Sequence, residues 1–370
     1  MQDALQKLGP DVVAIYTLVT PDKYVAMLVT SGARKAYTSP IKEADLNKKI
    51  FEFRQLLQDP SSDPLPLSQE LYHIVFPEGL RQDLDAMQAK TIMWSIDSTL
   101  RYIPFAALHD GKKYLVQSFR QSLITPASIP YLTEEPVRPW SGVGFGVSES
   151  RSPLPSVPAE LRGIFRDTPD GKSPVPGVVR LNAAFTRQNF ENDLRQWRNP
   201  VVHIATHFDS RPGVAANSQL LLGDGELSLA EIESETRLFK GVDLLTLSAC
   251  NTAFTNRSED GREVDSFGTI AQRLGAKAVI ASLWSVNDDS TAILMQTMYR
   301  LRQQSPGMSK DEALRQAQVL LLTRQLKASP AQHVPDRGVT LIGSENAMKT
   351  PADWSHPYYW APFILIGNWR

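Results

Sequence analysis

A chain of 370 residues, 42% apolar and 21% charged, has enough apolar surface for a core and room for about two domains of ~150 residues, which excludes an intrinsically disordered polypeptide. Its 39 basic side chains stand against 40 acidic ones, so it lacks the basic surplus with which a protein neutralises nucleic-acid phosphates. No apolar run approaches the ~20 residues that span a bilayer, the opening MQDALQKLGPDVV lacks the layout of a secretory signal, and a single cysteine excludes an internal disulfide framework and a multi-cysteine zinc site.

The expectation is a soluble, cytoplasmic globular protein that binds neither nucleic acid nor membrane. Residues 12–20 and 24–30 are β-branched and apolar, and Pro21-Asp22-Lys23 between them reads as a hairpin turn. Leu46, Ile50, Phe53 and Leu57 recur at helical spacing and predict an amphipathic helix over 41–57. A Pro/Ser/Asp-rich loop follows at 59–66, then strands at 91–96 and 114–116. Four prolines between Pro126 and Pro139 mark the expected domain boundary, dividing the chain into residues 1–135 and 136–370.

Beyond the boundary, strands alternate with helices. The predicted strands are 142–147, 178–181, 201–206, 242–248, 278–283 and 363–366; the helices are 159–166, 186–197, 229–236, 265–274, 290–304 and 310–326. Several strands are continuous apolar runs, the mark of a parallel sheet covered on both faces. The second half therefore reads as a three-layer α/β sandwich. The loops 148–176 and 255–262 are polar and expected at the surface. Gly142-Val143-Gly144-Phe145-Gly146 is a glycine-rich first strand, since its third glycine comes too early for a dinucleotide fingerprint. Gly223-Asp224-Gly225 is a turn.

Open parallel sheets bind ligands beyond the carboxyl ends of their strands. Two predicted strands end there in reactive groups: 201–206 runs into His207, and 242–248 runs toward Cys250. A thiol beside an imidazole is the minimum for nucleophilic acyl transfer, because the imidazole favours the thiolate and then protonates the leaving amine. A lone cysteine after an apolar strand is otherwise a small buried hydrophobe. Here the polar Asn251 and Thr252 follow it, and its separation of 43 from His207 is close to the ~50 of caspase-type proteases. His203 lies four residues before His207, and four residues of strand span ~13 Å, so the two cannot share a metal. His203 is assigned to packing or support.

The strings HIATH at 203–207, LSACNT at 247–252, SLWSVND at 282–288 and HPYYWAPFILIG at 356–367 resemble the CHAT domain, a caspase-like family grouped with separases, metacaspases and gingipains. Arg101-Tyr102-Ile103-Pro104-Phe105-Ala106-Ala107-Leu108 is similar to the region that precedes the protease fold in these proteins. The resemblance implies a caspase-like α/β/α sandwich with a mostly parallel sheet over 136–370, preceded by a smaller α/β pseudo-protease-like region over 1–135. It makes Cys250 the nucleophile and His207 the general base and acid, with no metal or cofactor. The oxyanion would be held by the backbone N–H groups of Cys250 and of Phe208, which stands where the family often has glycine and whose ring would crowd the cleft.

By the same resemblance Asp288 lies in the pocket for the residue before the scissile bond, where a partly desolvated carboxylate binds a guanidinium. Capping the following helix is the other reading for Asp288 and the favoured one for Asp289. Trp284 either walls this pocket or belongs to the core. Trp354 and Tyr358–Trp360 are expected to pack near the final strand. The function implied is a cysteine endopeptidase cleaving protein substrates, gated by an upstream repeat region or an activator protein, in a bacterial defence or cell-death setting. The chain would then be a fragment of a longer protein. The alternative is a catalytically silent interaction module, suggested by Phe208 and the degenerate first half.

Overall fold

The computed structural model describes residues 1–168, 171–196, 199–209, 218–248, 266–305, 307–326 and 353–370. The first half begins with α1 (Gln2–Leu8), β1 (Val12–Thr20) and β2 (Lys23–Val29), the two strands joined by the predicted hairpin with Thr20 opposite Lys23. A third strand, β3 (Arg34–Ser39), extends the hairpin at the sheet edge. Its polar sequence RKAYTS carries no strand signal and suits an edge that must resist further pairing.

The amphipathic helix is α2 (Glu43–Gln58), which buries all four of its predicted apolar residues. Next come α3 (Leu65–Val75), with a proline in its first turn, and α4 (Glu78–Ala86). The strand β4 (Thr91–Ser95) forms as expected. The predicted strand at 114–116 does not, because residues 115–118 wind into the short helix α5 (Leu115–Ser118), with the Tyr114 N–H held by the Gln117 side chain at 3.0 Å. The adjacent strand is instead β5 (Arg120–Leu123), parallel to β4.

The second half comprises β6 (Gly142–Gly146), α6 (Val157–Ile164), β7 (Phe165–Arg166), β8 (Val175–Leu181), α7 (Arg187–Arg195) and β9 (Val201–Ala205). A small antiparallel sheet of β10 (Phe208–Asp209), β11 (Gln219–Leu222) and β12 (Gly225–Ser228) leads into α8 (Leu229–Ser234). Then follow β13 (Leu244–Leu247), α9 (Ser266–Arg273), β14 (Ala278–Ser282), α10 (Asp288–Gln304), α11 (Lys310–Leu322), α12 (Pro357–Trp360) and β15 (Phe363–Gly367).

All the larger strands join one twelve-stranded sheet, in the order β3-β2-β1-β4-β5-β15-β14-β13-β9-β6-β8-β7. It is parallel through β1-β4-β5 and through β14-β13-β9-β6-β8-β7, with antiparallel pairing in the β1-β2-β3 hairpins and between β14 and β15. Helices cover both faces. Ile280 of β14 and Leu365 of β15 belong to one apolar cluster, while Val279 and Ile366 belong to the other. This alternation places a core on each side and explains why these strands read as unbroken apolar runs.

The glycines of β6 have a packing reason. A Cβ on Gly146 would lie 2.6 Å from a methyl of Val157, and one on Gly144 would lie 2.9 Å from the Phe165 ring. Only hydrogen at these positions lets α6 lie close on the strand.

Candidate active site

The second-half strands that end in chemistry are neighbours. β9 and β13 run parallel with Val201 beside Leu244 and Ile204 beside Leu247, and the ladder continues as the Ser248 N–H donates to the Ile204 carbonyl at 2.9 Å. His207 stands two residues beyond β9, half-buried. Its Nε2 is 2.6 Å from the carbonyl oxygen of Ser152. A carbonyl only accepts, so Nε2 carries a proton, and in the neutral form of the ring the lone pair lies on Nδ1. The residues after β6 thus fix the tautomer and aim of the imidazole. Nothing in the sequence pointed to Ser152, since a backbone carbonyl leaves no side-chain signature. Cys250 lies outside the described residues.

Phe208 differs from expectation in its side chain. The ring is buried and stacks on Phe267 at 5.5 Å between centroids, inside the core rather than in the cleft. Its backbone does not adopt the left-handed region. Phe208 pairs with Leu220 across β10 and β11, and the Leu221 N–H donates to the His207 carbonyl. A pair flanked in this way is the non-hydrogen-bonded kind, so the Phe208 N–H points out of the ladder.

Beside the ends of β13 and β14, a small cleft is lined by Leu154, Ser248, Trp284, Asp288, Thr291 and Phe363, among others. Asp288 and Trp284 therefore lie together, with Ser248 on the segment leading to Cys250. Trp284 is both wall and core: it is 3% exposed, and its Nε1–H donates to the Tyr358 carbonyl at 3.1 Å. The aromatic cluster packs as expected, with Trp354 and Trp360 buried before β15.

Neither aspartate caps α10. The cap is Asn287, whose Oδ1 accepts from the Ser290 N–H at 3.0 Å. Both carboxylates instead turn to Ser156, the residue before α6. Asp288 accepts its backbone N–H at 2.6 Å and Asp289 its hydroxyl at 2.5 Å. Burial pushes the Asp288 carboxyl above the ordinary aspartate range, more than the Ser156 bonds hold it down.

His203 is fully buried under the site. Its Nε2 meets Glu160 of α6 at 2.8 Å, its Nδ1 meets the Tyr299 hydroxyl of α10 at 3.3 Å, and that hydroxyl meets Thr246 of β13 at 2.8 Å. Burial raises the Tyr299 phenol, keeping it neutral. This chain of bonds ties β9, β13, α6 and α10 together. The support role predicted for His203 took no account of Glu160, a carboxylate with no visible partner in the sequence. Among the described residues no His, Cys, Asp and Glu cluster has the geometry of a metal site, and no helix is long and apolar enough to cross a membrane.

This fold is that of the caspase-like cysteine peptidases. The chain superimposes on separase in the separase–securin complex of Saccharomyces cerevisiae with a TM-score of 0.60 at 10% identity, covering 99% of this chain and 30% of that one. It also matches the Arg-specific cysteine proteinase gingipain R (RgpB) with a TM-score of 0.50 at 9% identity, covering 88% and 74% of the two chains. At such identities the likeness is one of fold. The CHAT domain profile matches residues 65–368, and the chain belongs to the CHAT domain family. No curated protein shows significant similarity to it.

Proposed function

We propose that the chain is a cysteine endopeptidase with His207 and Cys250 as its catalytic dyad. One observation carries the reading. Every residue of β13 lies beside the residue 43 positions earlier in β9, and 43 is also the separation of Cys250 from His207. That shared spacing supports pairing the two groups at the carboxyl edge of the sheet. In this reading Nδ1 of His207 takes the thiol proton, the thiolate attacks the scissile carbonyl, and the imidazolium protonates the leaving amine. The Phe208 N–H, directed out of its ladder, and the Cys250 N–H receive the oxyanion.

Asp288, in the adjoining cleft, supports a preference for a basic side chain before the scissile bond. The silent-module reading drew on Phe208 and the degenerate first half, and the burial of the Phe208 ring away from the cleft removes the first of these. The family resemblance supports an enzyme gated by an upstream repeat region or an activator protein, in the bacterial cytoplasm and in defence or cell death. The test is turnover of a fluorogenic peptide panel with Arg, Lys, Leu or Met before the scissile bond. Wild type should cleave the basic members best, and Cys250→Ala and His207→Ala should each lose at least about 1,000-fold in kcat/KM. Cleavage by the alanine variants at the wild-type rate would end the proposal.

A further inference from the structure

Asp289 is a carboxylate that the proposed chemistry leaves without a part. It stands half-buried in the first turn of α10 and leaves the capping of that helix to Asn287. Ser156 occupies the N-cap position of α6, where a serine hydroxyl ordinarily accepts from the N–H groups of its own helix, yet it makes no such bond. Its hydroxyl donates instead to Asp289 at 2.5 Å, while its backbone N–H donates to Asp288 at 2.6 Å. A hydroxyl on a carboxylate at this distance is a charge-assisted bond, stronger than a neutral one. The starts of two helices are thus clamped at one residue.

Ser156 lies four residues beyond Ser152, whose carbonyl receives the His207 Nε2–H at 2.6 Å. The stretch between them is stiff. Pro153 and Pro155 each lock their own φ and restrict the residue before them, here Ser152 and Leu154. Leu154 is buried, with its N–H on the Ser148 carbonyl at 3.1 Å and its carbonyl on the Val157 N–H at 3.2 Å. The Ser152 carbonyl also takes the Ser150 hydroxyl at 2.7 Å. With so few soft dihedrals between them, Ser152 and Ser156 move together.

We propose that Asp289 is a positioning residue for His207: through Ser156 it anchors the strut 153–155 that holds the Ser152 carbonyl against Nε2. Asp288 lines the cleft and Asp289 does not, so the two adjacent carboxylates divide the work. One meets the substrate side chain, and the other aims the imidazole without touching substrate or thiol. The consequence for turnover rests on the peptidase reading, whereas the tautomer is a property of the ring alone.

Long-range nitrogen–proton correlation spectra of the full chain with isotope-labelled histidine read that tautomer, at a pH where the ring is neutral and with the signal assigned by His207→Ala. Wild type should show the Nε2–H form. Asp289→Ala and Ser156→Ala should each admit a substantial fraction of the Nδ1–H form. The double variant should be no worse than either, because both changes remove the same bond. Ser156→Ala keeps its backbone N–H on Asp288, which preserves the fold, and Asp289→Asn keeps an acceptor for the hydroxyl and should hold the wild-type tautomer. For a leucine peptide, kcat should fall about 10- to 100-fold in both alanine variants with KM little changed, since a misaimed base slows chemistry without weakening binding. A wild-type tautomer retained in both alanine variants, or a loss expressed in KM alone, would overturn the proposal. A tautomer that responds in a chain without turnover would uphold the strut and fail the peptidase reading instead.

Discussion

Asp288 shows how one side chain's surroundings set its chemistry. Its carboxylate lines the cleft, takes the Ser156 N–H and is raised by burial, so it keeps its proton to higher pH than an open aspartate. A guanidinium needs the ionised form. For an arginine peptide kcat/KM should therefore fall on acidification, starting above the ordinary carboxylate range, and a pH–rate profile checks this. Asp288→Asn should raise KM for that peptide roughly 10- to 100-fold and leave a leucine peptide unchanged. Stability runs the other way: a raised carboxyl favours the fold while protonated, and that contribution is lost as pH rises through its shifted value. Asp288→Asn should thus be no less stable than wild type at neutral pH. The SLWSVND string located this residue, but its link to Ser156, 132 positions earlier in the chain, depends on α6 packing beside α10, which no local pattern encodes.

At the scale of elements, the chain Glu160–His203–Tyr299–Thr246 holds two helices to the strands that lead to the proposed dyad. His203→Ala leaves Glu160 buried without its partner, and a buried polar group left unsatisfied costs about 1–3 kcal/mol. Calorimetric unfolding should show a lower Tm for His203→Ala and a smaller loss for Tyr299→Phe. An unchanged Tm in His203→Ala would show that the pair contributes nothing. Strands and helices with strong periodicity, such as β1, α2, β9 and α10, were legible because burial on one face or on both imposes a pattern. β3 was not, since an edge strand is selected against stickiness rather than for apolar content. The strand expected at 114–116 gives way to α5 because three apolar or aromatic side chains in a row are compatible with either a strand or a buried helical turn.

For the whole molecule, the position of the two halves matters more than their separate folds. One apolar cluster runs from Leu5 through Trp94 to Trp369, and Arg315 of α11 reaches the Val116 and Gln117 carbonyls of the first half at 3.4 and 3.5 Å. Residues 136–370 produced alone should therefore expose the β15 edge and the underside of α11, bind a hydrophobic dye and unfold at a lower temperature than the full chain. A fragment as stable as the whole would show the halves to be independent. The proline-rich stretch 126–139 is legible as a connection, whereas the continuity of the sheet across it is not, because strand order is a property of packing.

The central claim is that an imidazole held by the Ser152 carbonyl activates one thiol. It is tested most directly by the second-order rate at which Cys250 is alkylated by a small neutral electrophile across pH 5–9. The account predicts a thiolate formed below the ~8.5 of a free cysteine, with neutral-pH alkylation slowed at least about tenfold in His207→Ala. A rate that titrates as an ordinary thiol and does not respond to loss of His207 would contradict it.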